Sequence, residues 1–321
     1  MIENILDRYR RKVRVRIPAT TSNLGPGFDA LGMALKLYNE IEVSWLKEHG
    51  EAHTEIEGEG FAHLPRGEKN PIVQAFRLLL PKTRFPWALR FRMRNRIPLG
   101  RGLGSSAAAR LGGLLSAAAL RDFKDAAVAD MVAQAVALEG HPDNVIPAFH
   151  GGLCVSIWDG EHGGAGRHPV WLRLKIPKDL GVVVCLPDYE VSTEKARKLL
   201  PAKVPLKDAV HNVQRIALLI GALERGELGL LRTAMDDLLH QPYRRPLMRG
   251  MEAVIAAAVK AGAFGAALSG AGPSVLALTL RGPKQAKIGR EMQKAFFRSG
   301  VESRYLALDV EPSGARIEIE T

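Results

Sequence analysis

Hydrophobic and polar residues alternate along this chain with two different spacings. In residues 89–97 apolar residues alternate with arginines, which is the period-two pattern of a half-buried strand whose arginines face water. In residues 125–139 the apolar residues instead recur every three or four positions, as on one face of a helix. That face carries Val128, Met131, Val132, Ala135 and Leu138. The chain therefore contains both kinds of secondary structure.

The same two patterns place strands and helices along the whole chain. Further strands are predicted at residues 13–18, 38–45, 152–158, 181–186, 274–280 and 301–308. Further helices are predicted at residues 70–79, 105–121 and 284–299, and as starting at residues 193, 207 and 246. Residues 160–169 hold four glycines, two histidines and a proline without periodicity, which makes this segment the best candidate for a domain junction. We expect an α+β protein of two layered domains, residues 1–163 and 164–321.

Composition limits the kind of protein this is. A length of 321 residues with 46% apolar residues suffices for two domains with proper cores. No apolar run reaches the ~18 residues of a membrane span, because Lys260 interrupts the longest candidate. The basic cluster at residues 8–12 has no apolar segment after it, so we expect a cytoplasmic protein without a secretory signal. Cys154 and Cys185 lie in apolar runs without CxxC spacing, which predicts inert buried thiols, no disulfide and no structural metal.

The net charge of +11 raises the question of nucleic-acid binding. The basic residues are spread along the chain, and aromatic residues are only 6%, so no stacking platform accompanies them. A solvated basic surface that also favours an anionic nucleotide is the better interpretation. We expect no nucleic-acid partner.

A glycine-rich turn runs directly into an alanine-rich helix. Its members are Pro98, Leu99, Gly100, Arg101, Gly102, Leu103, Gly104, Ser105, Ser106, Ala107 and Ala108. The three glycines remove side chains where a polyanion must approach, and the serines can cap a helix whose N–H groups face a phosphate. An ordinary tight turn is the alternative. If the loop is a phosphate cradle, Gly104→Val should abolish ATP binding and leave the fold intact.

Three ordered motifs resemble those of one kinase superfamily. The glycine-rich loop lacks the P-loop and dinucleotide patterns. It is similar instead to Pro-x-x-x-Gly-Leu-Gly-Ser-Ser-Ala, the second motif of the GHMP kinases, which include galactokinase, homoserine kinase and mevalonate kinase. Residues 18–29 resemble the first motif in its homoserine kinase form, and residues 268–274 the third, which closes over the nucleotide phosphates. The resemblance implies a left-handed βαβ domain like that of a ribosomal protein, a ferredoxin-like domain and an active site between them.

Two further segments resemble homoserine kinases in particular. Residues 139–148 place a carboxylate, the His141 imidazole and an Asp-Asn pair within six positions, which can hold a metal and a hydroxyl-bearing substrate. The alternative for His141 is a turn histidine bonded to backbone. In homoserine kinases, the threonine and arginine matching Thr193 and Arg197 contact the amino acid, and Arg244 matches a second carboxylate-binding arginine, with Arg245 as competitor. Paired guanidinium groups would select a small amino acid, although each arginine alone is more typical of a surface charge.

The resemblance implies transfer of the γ-phosphoryl of MgATP to the side-chain hydroxyl of L-homoserine, on the way to threonine. Substrate would be held by Asn23, Asp29, His141, Asn144, Thr193, Arg197 and Arg244. The triphosphate would be held by residues 98–108 with Gly270, Gly272 and Ser274, the nucleoside would lie near Asn70, and magnesium would be held by Ser106 and Glu139. The oligomeric state is left open, with a homodimer as the candidate.

The sequence allows more than one assignment of the catalytic residues and of the substrate. Asp29 and Asn144 are the catalytic candidates, with Asp29 orienting the hydroxyl, Asp143 as the alternative base and no strong base obligatory. Arg101 stands where the family has a small residue, and reaches either the phosphates or solvent. Residues 248–250 read Met-Arg-Gly where Ile-Pro-Gly is common. The rivals are a kinase of another small alcohol, such as mevalonate, and a nucleotide-binding regulator without catalysis.

Overall fold

A computed structural model describes residues 12–81, 83, 85, 87–121, 126–158 and 168–320. Its strands are β1 (Lys12–Asn23), β2 (Gly27–His49), β3 (His53–Gly58), β4 (Trp87–Asn95), β5 (Leu153–Ile157), β6 (Val170–Leu174), β7 (Leu180–Pro187), β8 (Gly265–Leu268), β9 (Val275–Leu280), β10 (Ser303–Asp309) and β11 (Arg316–Glu320). Its helices are α1 (Pro71–Leu79), α2 (Ser105–Arg121), α3 (Ala126–Glu139), α4 (Val145–His150), α5 (Thr193–Lys198), α6 (Leu206–Arg225), α7 (Leu231–Ala234), α8 (Gln241–Arg244), α9 (Met251–Lys260) and α10 (Pro283–Arg298). No helix in these ranges is both long and apolar enough to cross a membrane.

The strands form two sheets. The first has the order β11-β1-β2-β4-β3, and β5 and β6 extend it from the N-terminal part of β2. Within it β3 and β4 are parallel, while its other pairs are antiparallel. The second sheet is antiparallel with the order β10-β7-β9-β8. The mixed α+β architecture predicted from the sequence is confirmed.

The alternation predicted for residues 89–97 sets the two faces of the first sheet. Leu89, Phe91 and Met93 are buried, while the intervening arginines point outward. Those arginines also form a ladder of ion pairs with glutamates of β2 and β3, such as Arg92 with Glu55 at 2.9 Å. Burial of the apolar side chains therefore stabilises this strand in the sheet, and the exposed ion pairs add little to its stability.

Helix α2 lies close to the inner face of the first sheet, and two glycines allow this. A Cβ on Gly112 would lie 2.5 Å from Ile17 of β1, and one on Gly113 would lie 2.3 Å from the Ile72 carbonyl of α1. Larger residues at these positions would push α2 away from the sheet and from α1. The glycines thus fix the position of the helix whose N-terminus follows the glycine-rich turn.

Some boundaries differ from the predicted ones. The helix expected from residue 246 begins at Met251, because Arg245–Leu247 form a 3-10 turn and Gly250 has a left-handed φ of 81°. On α3 the predicted apolar face is buried at Met131, but Leu138 is 39% exposed at the helix end. The pattern did not predict β3, β6, β8, β11, α4, α7 and α8, which are short or lack a clean alternation.

The predicted domain junction falls mostly on residues outside the described ranges. Strands β6 and β11 both follow residue 163 in the chain, yet both belong to the first sheet. The final strand returns to pair with β1 from Arg316↔Arg16 to Glu320↔Lys12. The two sheets therefore do not divide the chain at one point, and the boundary between 163 and 164 stays a prediction.

Both cysteine thiols are buried in the two sheets. Cys154 and Cys185 have no exposed surface, and burial raises the pKa of each thiol to about 12. Because the thiolate is the reactive form, we expect a thiol reagent at neutral pH to leave both unmodified in the native protein. Spectrophotometric titration in buffer and in denaturant should show two reactive thiols only after unfolding. Rapid labelling of the native protein would contradict this expectation.

Candidate active site

The three glycine-containing motifs meet at a cleft between the two sheets. The Thr20 amide of β1 donates to the Leu103 carbonyl at 3.1 Å, which joins the first motif to the glycine-rich turn. The Ser269 hydroxyl donates to the Gly102 carbonyl at 2.7 Å, which joins that turn to the third motif. The Gly270 amide donates to the Ser22 carbonyl at 3.1 Å, which joins the third motif to the first. Segments some 250 positions apart in the sequence therefore form one site.

All three glycines of the turn have left-handed backbone conformations, with φ of 60° at Gly100, 71° at Gly102 and 68° at Gly104. A Cβ on Gly102 would lie 2.0 Å from the Ser269 carbonyl oxygen, and one on Gly104 would lie 2.0 Å from Thr20 Oγ1. The turn thus requires glycine for its own conformation and for its contacts with neighbouring segments. Room for a ligand is a further reason for glycine at these positions, after the backbone conformation and the contacts with neighbouring segments.

This geometry changes the expected effect of Gly104→Val. The side chain would meet Thr20 rather than only the space of an anion, so we expect the variant to lose about 1–3 kcal/mol of unfolding free energy or more. Urea unfolding checks this. Gly226→Val is the matched control, because Gly226 has a similar φ of 72° but its Cβ would meet nothing closer than 3.8 Å. Equal losses in the two variants would show that the Thr20 contact is unimportant.

Ser106 and Glu139 face each other at the N-terminus of α2. The Ser106 hydroxyl donates to Glu139 Oε2 at 3.0 Å, and Arg110, one turn further along α2, donates to the same oxygen. A carboxylate and a hydroxyl are hard oxygen donors of the kind that Mg²⁺ takes, so the pair fits the predicted metal site. Arg110 was not predicted, although its position four residues after Ser106 places it on the same helix face.

His141 binds a carboxylate rather than backbone. Its Nδ1 lies 2.5 Å from Asp143 Oδ1, which also accepts from the Asn144 amide at 3.1 Å. Burial lowers the pKa of His141, but the hydrogen bond and charge of Asp143 raise it to a net value above the ordinary one. Asn144 Oδ1 in turn accepts from Thr20 Oγ1 at 2.8 Å. The turn after α3 is therefore tied to β1 by side chains.

Asp29 and Arg197 form a two-pronged ion pair across the cleft. The two terminal nitrogens of Arg197 lie 2.9 and 2.6 Å from the two carboxylate oxygens of Asp29. Asp29 has a left-handed φ of 56°, and its amide donates to Asn23 Oδ1 at 3.1 Å. Burial lowers the pKa of Arg197, while Asp29 more than offsets this and raises it. Ser192 caps α5, so Thr193 is left at the cleft wall as the first residue of that helix.

Arg244 is buried on the same side of the cleft. Its NH1 lies 3.2 Å from the Gly270 carbonyl oxygen, and burial together with the charge of Arg197 lowers the pKa of Arg244 to about 10. The two arginines converge on the ring of Phe28, with Cζ atoms 5.6 Å and 5.3 Å from its centroid, close enough for cation–π attraction. The competing Arg245 is exposed and pairs with Glu252.

Arg101 contacts neighbouring protein groups, which neither of the two predicted alternatives, the phosphates or solvent, included. It lines the cleft, yet its guanidinium donates to the Pro187 carbonyl and lies 3.5 Å from the Asp188 carboxylate. The Val191 amide also donates to the Gly100 carbonyl at 3.2 Å. Arg101 therefore ties the glycine-rich turn to the end of β7 and to the segment that leads into α5.

The structure places most predicted site residues on the cleft wall. The residues there are Asn23, Asp29, Pro98, Gly100, Arg101, Gly102, Leu103, Gly104, Ser105, Ser106, Glu139, His141, Asn144, Thr193, Arg197, Arg244, Gly270 and Gly272. It does not bring Ala107, Ala108 or Ser274 to the wall, because their side chains are buried behind it. Leu99 and Asn70 lie instead in an adjoining cavity.

The adjoining cavity measures about 660 Å³ and shares Gly100, Ser105 and Ser106 with the cleft. Its walls combine apolar side chains of α1 and Leu138 of α3 with several polar side chains, among them Asn70 and Asn95, a composition typical of small-molecule sites. The side-chain Oδ1 of Asn70 also caps α1 by accepting from the Ile72 amide at 2.9 Å. Leu138, at the exposed end of the α3 apolar face, forms part of this wall.

The chain matches two family models, GHMP kinases N terminal domain over residues 70–152 and GHMP kinases C terminal over residues 219–298. It is 46% identical over 289 residues to the homoserine kinase of Moorella thermoacetica, a match that covers 90% of this chain and 94% of that protein. The chain belongs to the GHMP kinase family. A second GHMP kinase, the homoserine kinase of Persephonella marina, is 39% identical over 96% of this chain and 98% of its own.

The fold of this GHMP kinase also matches a solved structure. The crystal structure of homoserine kinase from Cytophaga hutchinsonii aligns with a TM-score of 0.83 at 27% identity, covering 96% of this chain and 98% of that one. The fold and family implied by the three motifs are thus confirmed. The roles of the individual site residues stay predictions.

Proposed function

We propose that this GHMP kinase transfers the γ-phosphoryl of ATP to the side-chain hydroxyl of L-homoserine, giving O-phospho-L-homoserine for threonine biosynthesis. The observation that carries this choice of acceptor is the convergence of Arg197 and Arg244 on Phe28, across the cleft from the start of α2. Guanidinium groups bind a carboxylate well, and Asp29 beside them offers an acceptor for an ammonium group. An amino acid carries both groups.

The opposite wall of the cleft suits the triphosphate. The left-handed turn and the first N–H groups of α2 face the cleft, where an anion is favoured by free donors and by the helix dipole. The adjoining cavity gives the nucleoside a place on the far side of Ser105 and Ser106. Phosphoryl transfer then needs in-line positioning and charge neutralisation more than covalent chemistry from the protein.

Residues between the two walls would position the attacking hydroxyl. Both oxygens of Asp29 already accept from Arg197, which suits a group that orients the hydroxyl and not one that removes its proton. Asp143 is held through one oxygen, because its Oδ1 contacts His141 Nδ1 and accepts from the side-chain amide of Asn144. Asn144 links the turn after α3 to β1 and so holds this arrangement in register.

Ser106 and Glu139 would hold Mg²⁺. When bound there, the ion would neutralise charge on the triphosphate. In this chain the Glu139 carboxylate is held in place by Ser106 and Arg110, so the donor oxygens are oriented in advance. Arg110 limits the negative charge at the site and would bring a further cation near the phosphates.

Two alternative functions can be compared with the geometry of this cleft, a mevalonate kinase and a nucleotide-binding regulator without catalysis. Mevalonate has a carboxylate but no ammonium group, and the presence of Asp29 together with Arg197 and Arg244 on the cleft wall favours a substrate with both. A regulator without catalysis has no need of Ser106, Glu139 and Asp29 in one cleft, and all three are there. The amino-acid kinase is therefore the better supported function.

A coupled ADP-release assay tests the proposal. Purified protein with MgATP is given homoserine, serine, mevalonate or no acceptor, and we expect ADP release above background to be fastest with homoserine. Identification of the phosphorylated product by mass spectrometry separates transfer from ATP hydrolysis. A faster rate with mevalonate, or no dependence on any acceptor, would refute the proposed substrate.

A further inference from the structure

His240 is a fully buried histidine directly before α8, the short helix that ends in Arg244. Its imidazole stacks on the Phe28 ring with centroids 5.1 Å apart and planes inclined by 22°. Phe28 is the ring on which both arginines converge. His240 therefore lies directly behind the substrate wall of the cleft, although it does not line it.

The contacts of the two ring nitrogens determine the tautomer. Nε2 lies 2.8 Å from the Gly25 carbonyl oxygen, which can only accept, so Nε2 carries the proton. Nδ1 lies 3.2 Å from NH1 of Arg244, and a guanidinium can only donate, so Nδ1 is the acceptor. Only the neutral Nε2–H form satisfies both neighbours, because a proton on Nδ1 would face an N–H of Arg244.

The surroundings keep this form. Burial and the charge of Arg244 lower the pKa of His240, while Asp237 and Asp29 act in the opposite direction without reversing the shift. Asp237 lies 3.4 Å from Nε2 and accepts the backbone amides of His240 and Gln241, at 3.2 and 2.7 Å. Asn212 of α6 donates to Asp237 at 2.8 Å. Asp237 thus holds the backbone at His240, while the hydrogen bonds of the two ring nitrogens go to Gly25 and Arg244.

Each contact leads to a predicted substrate residue. The Gly25 carbonyl belongs to the turn between β1 and β2, in which Asn23 and Leu24 have left-handed φ values of 70° and 48°. Such a turn is costly for residues other than glycine and needs outside contacts to hold it. The second contact orients the guanidinium of Arg244. The His240 side chain thereby connects Arg244 to the turn that lies between Asn23 of β1 and Asp29 of β2.

We propose that His240 is a positioning residue for the acceptor site, which through Nδ1 orients Arg244 and through Nε2 holds the turn between β1 and β2. This inference rests on the proposed function only for the identity of the acceptor. Loss of the Nδ1 contact affects recognition of the carboxylate, whereas loss of the Nε2 contact affects the groups that orient the hydroxyl. The two contacts can therefore be separated by experiment.

Two variants each retain one contact. The side-chain carbonyl of His240→Asn can take the place of Nδ1, and the side-chain amide of His240→Gln can take the place of Nε2. We expect His240→Gln to raise the KM for homoserine about 10- to 100-fold and to reduce the preference for homoserine over 3-aminopropan-1-ol. We expect His240→Asn to keep that preference and to lower kcat. The KM for ATP should stay unchanged in both.

His150→Gln is the control, because His150 also stacks on an aromatic ring, Trp171 at 3.7 Å, but lies away from the cleft. Circular dichroism and thermal unfolding establish that each variant is folded, and His240→Phe, which keeps only the stacking, replaces either variant that is not. The proposal would be overturned if the folded variants had the wild-type KM for homoserine, kcat and acceptor preference. It would also be overturned if the KM for ATP rose as much as the KM for the acceptor. If the wild type phosphorylates another acceptor, the proposed function fails, and the same comparison is made on that acceptor.

Discussion

Arg244→Ala is expected to lower kcat/KM for homoserine by about 2–5 kcal/mol, or roughly 30- to several-thousand-fold, while ATP binds as before. Arg244 is 1% exposed, so its loss would leave the substrate carboxylate facing a dry cavity instead of a guanidinium. Arg197→Ala should have a similar effect on kcat/KM and a larger one on kcat. The reason is that it also removes both hydrogen bonds that hold the Asp29 carboxylate.

Steady-state kinetics with homoserine and with 3-aminopropan-1-ol measure this effect. The loss should appear with homoserine and be small with the alcohol that lacks a carboxylate. Lysine at either position should rescue only in part, because a point charge cannot reproduce two-pronged geometry. Arg245→Ala is the neighbouring control, since that side chain is exposed and pairs with Glu252. Wild-type homoserine kinetics in both alanine variants would place the carboxylate site elsewhere.

Glu139→Gln is expected to lower kcat by about 100-fold or more and to shift the Mg²⁺ dependence of the rate to higher concentration. The carboxamide keeps the shape of the side chain but loses the charge, and its interactions with Ser106 and Arg110 weaken. A titration of the rate with Mg²⁺ at saturating ATP measures both effects. Glu194→Gln is the control, because Glu194 is an exposed glutamate on α5 that pairs with Lys198. A wild-type magnesium dependence in Glu139→Gln would show that another residue binds the metal.

The segments of the site could be predicted from the sequence because each has a local signature. One signature is a set of glycines before a run of helix formers, and another is the serine directly before Thr193. Each indicates the N-terminus of a helix whatever the rest of the chain is. These features correctly located the start of α2 and the N-terminus of α5. The elements with the strongest periodicity were likewise found close to their observed bounds.

The contacts between segments could not be predicted in the same way. Asp29 and Arg197 are separated by 168 positions, and nothing in the sequence near either residue indicates its partner. His240 carries no motif of its own, so its role becomes visible only when Phe28 and Gly25 are found beside it. Strands β6 and β11 were missed because each has only five residues, too few for a periodic pattern to stand out.

The last strand also affects the tendency of the protein to self-associate. β11 lies at the edge of the first sheet and places Arg316, Glu318 and Glu320 there, charges that discourage pairing with a strand of another molecule. Behind it lies β1, whose backbone would otherwise form the open edge, with Val13, Val15 and Ile17 on its inner face. A chain that ended before residue 316 would therefore offer an uncovered, strongly β-forming edge to its neighbours. The five paired residues of β11 therefore protect this edge of the first sheet against aggregation.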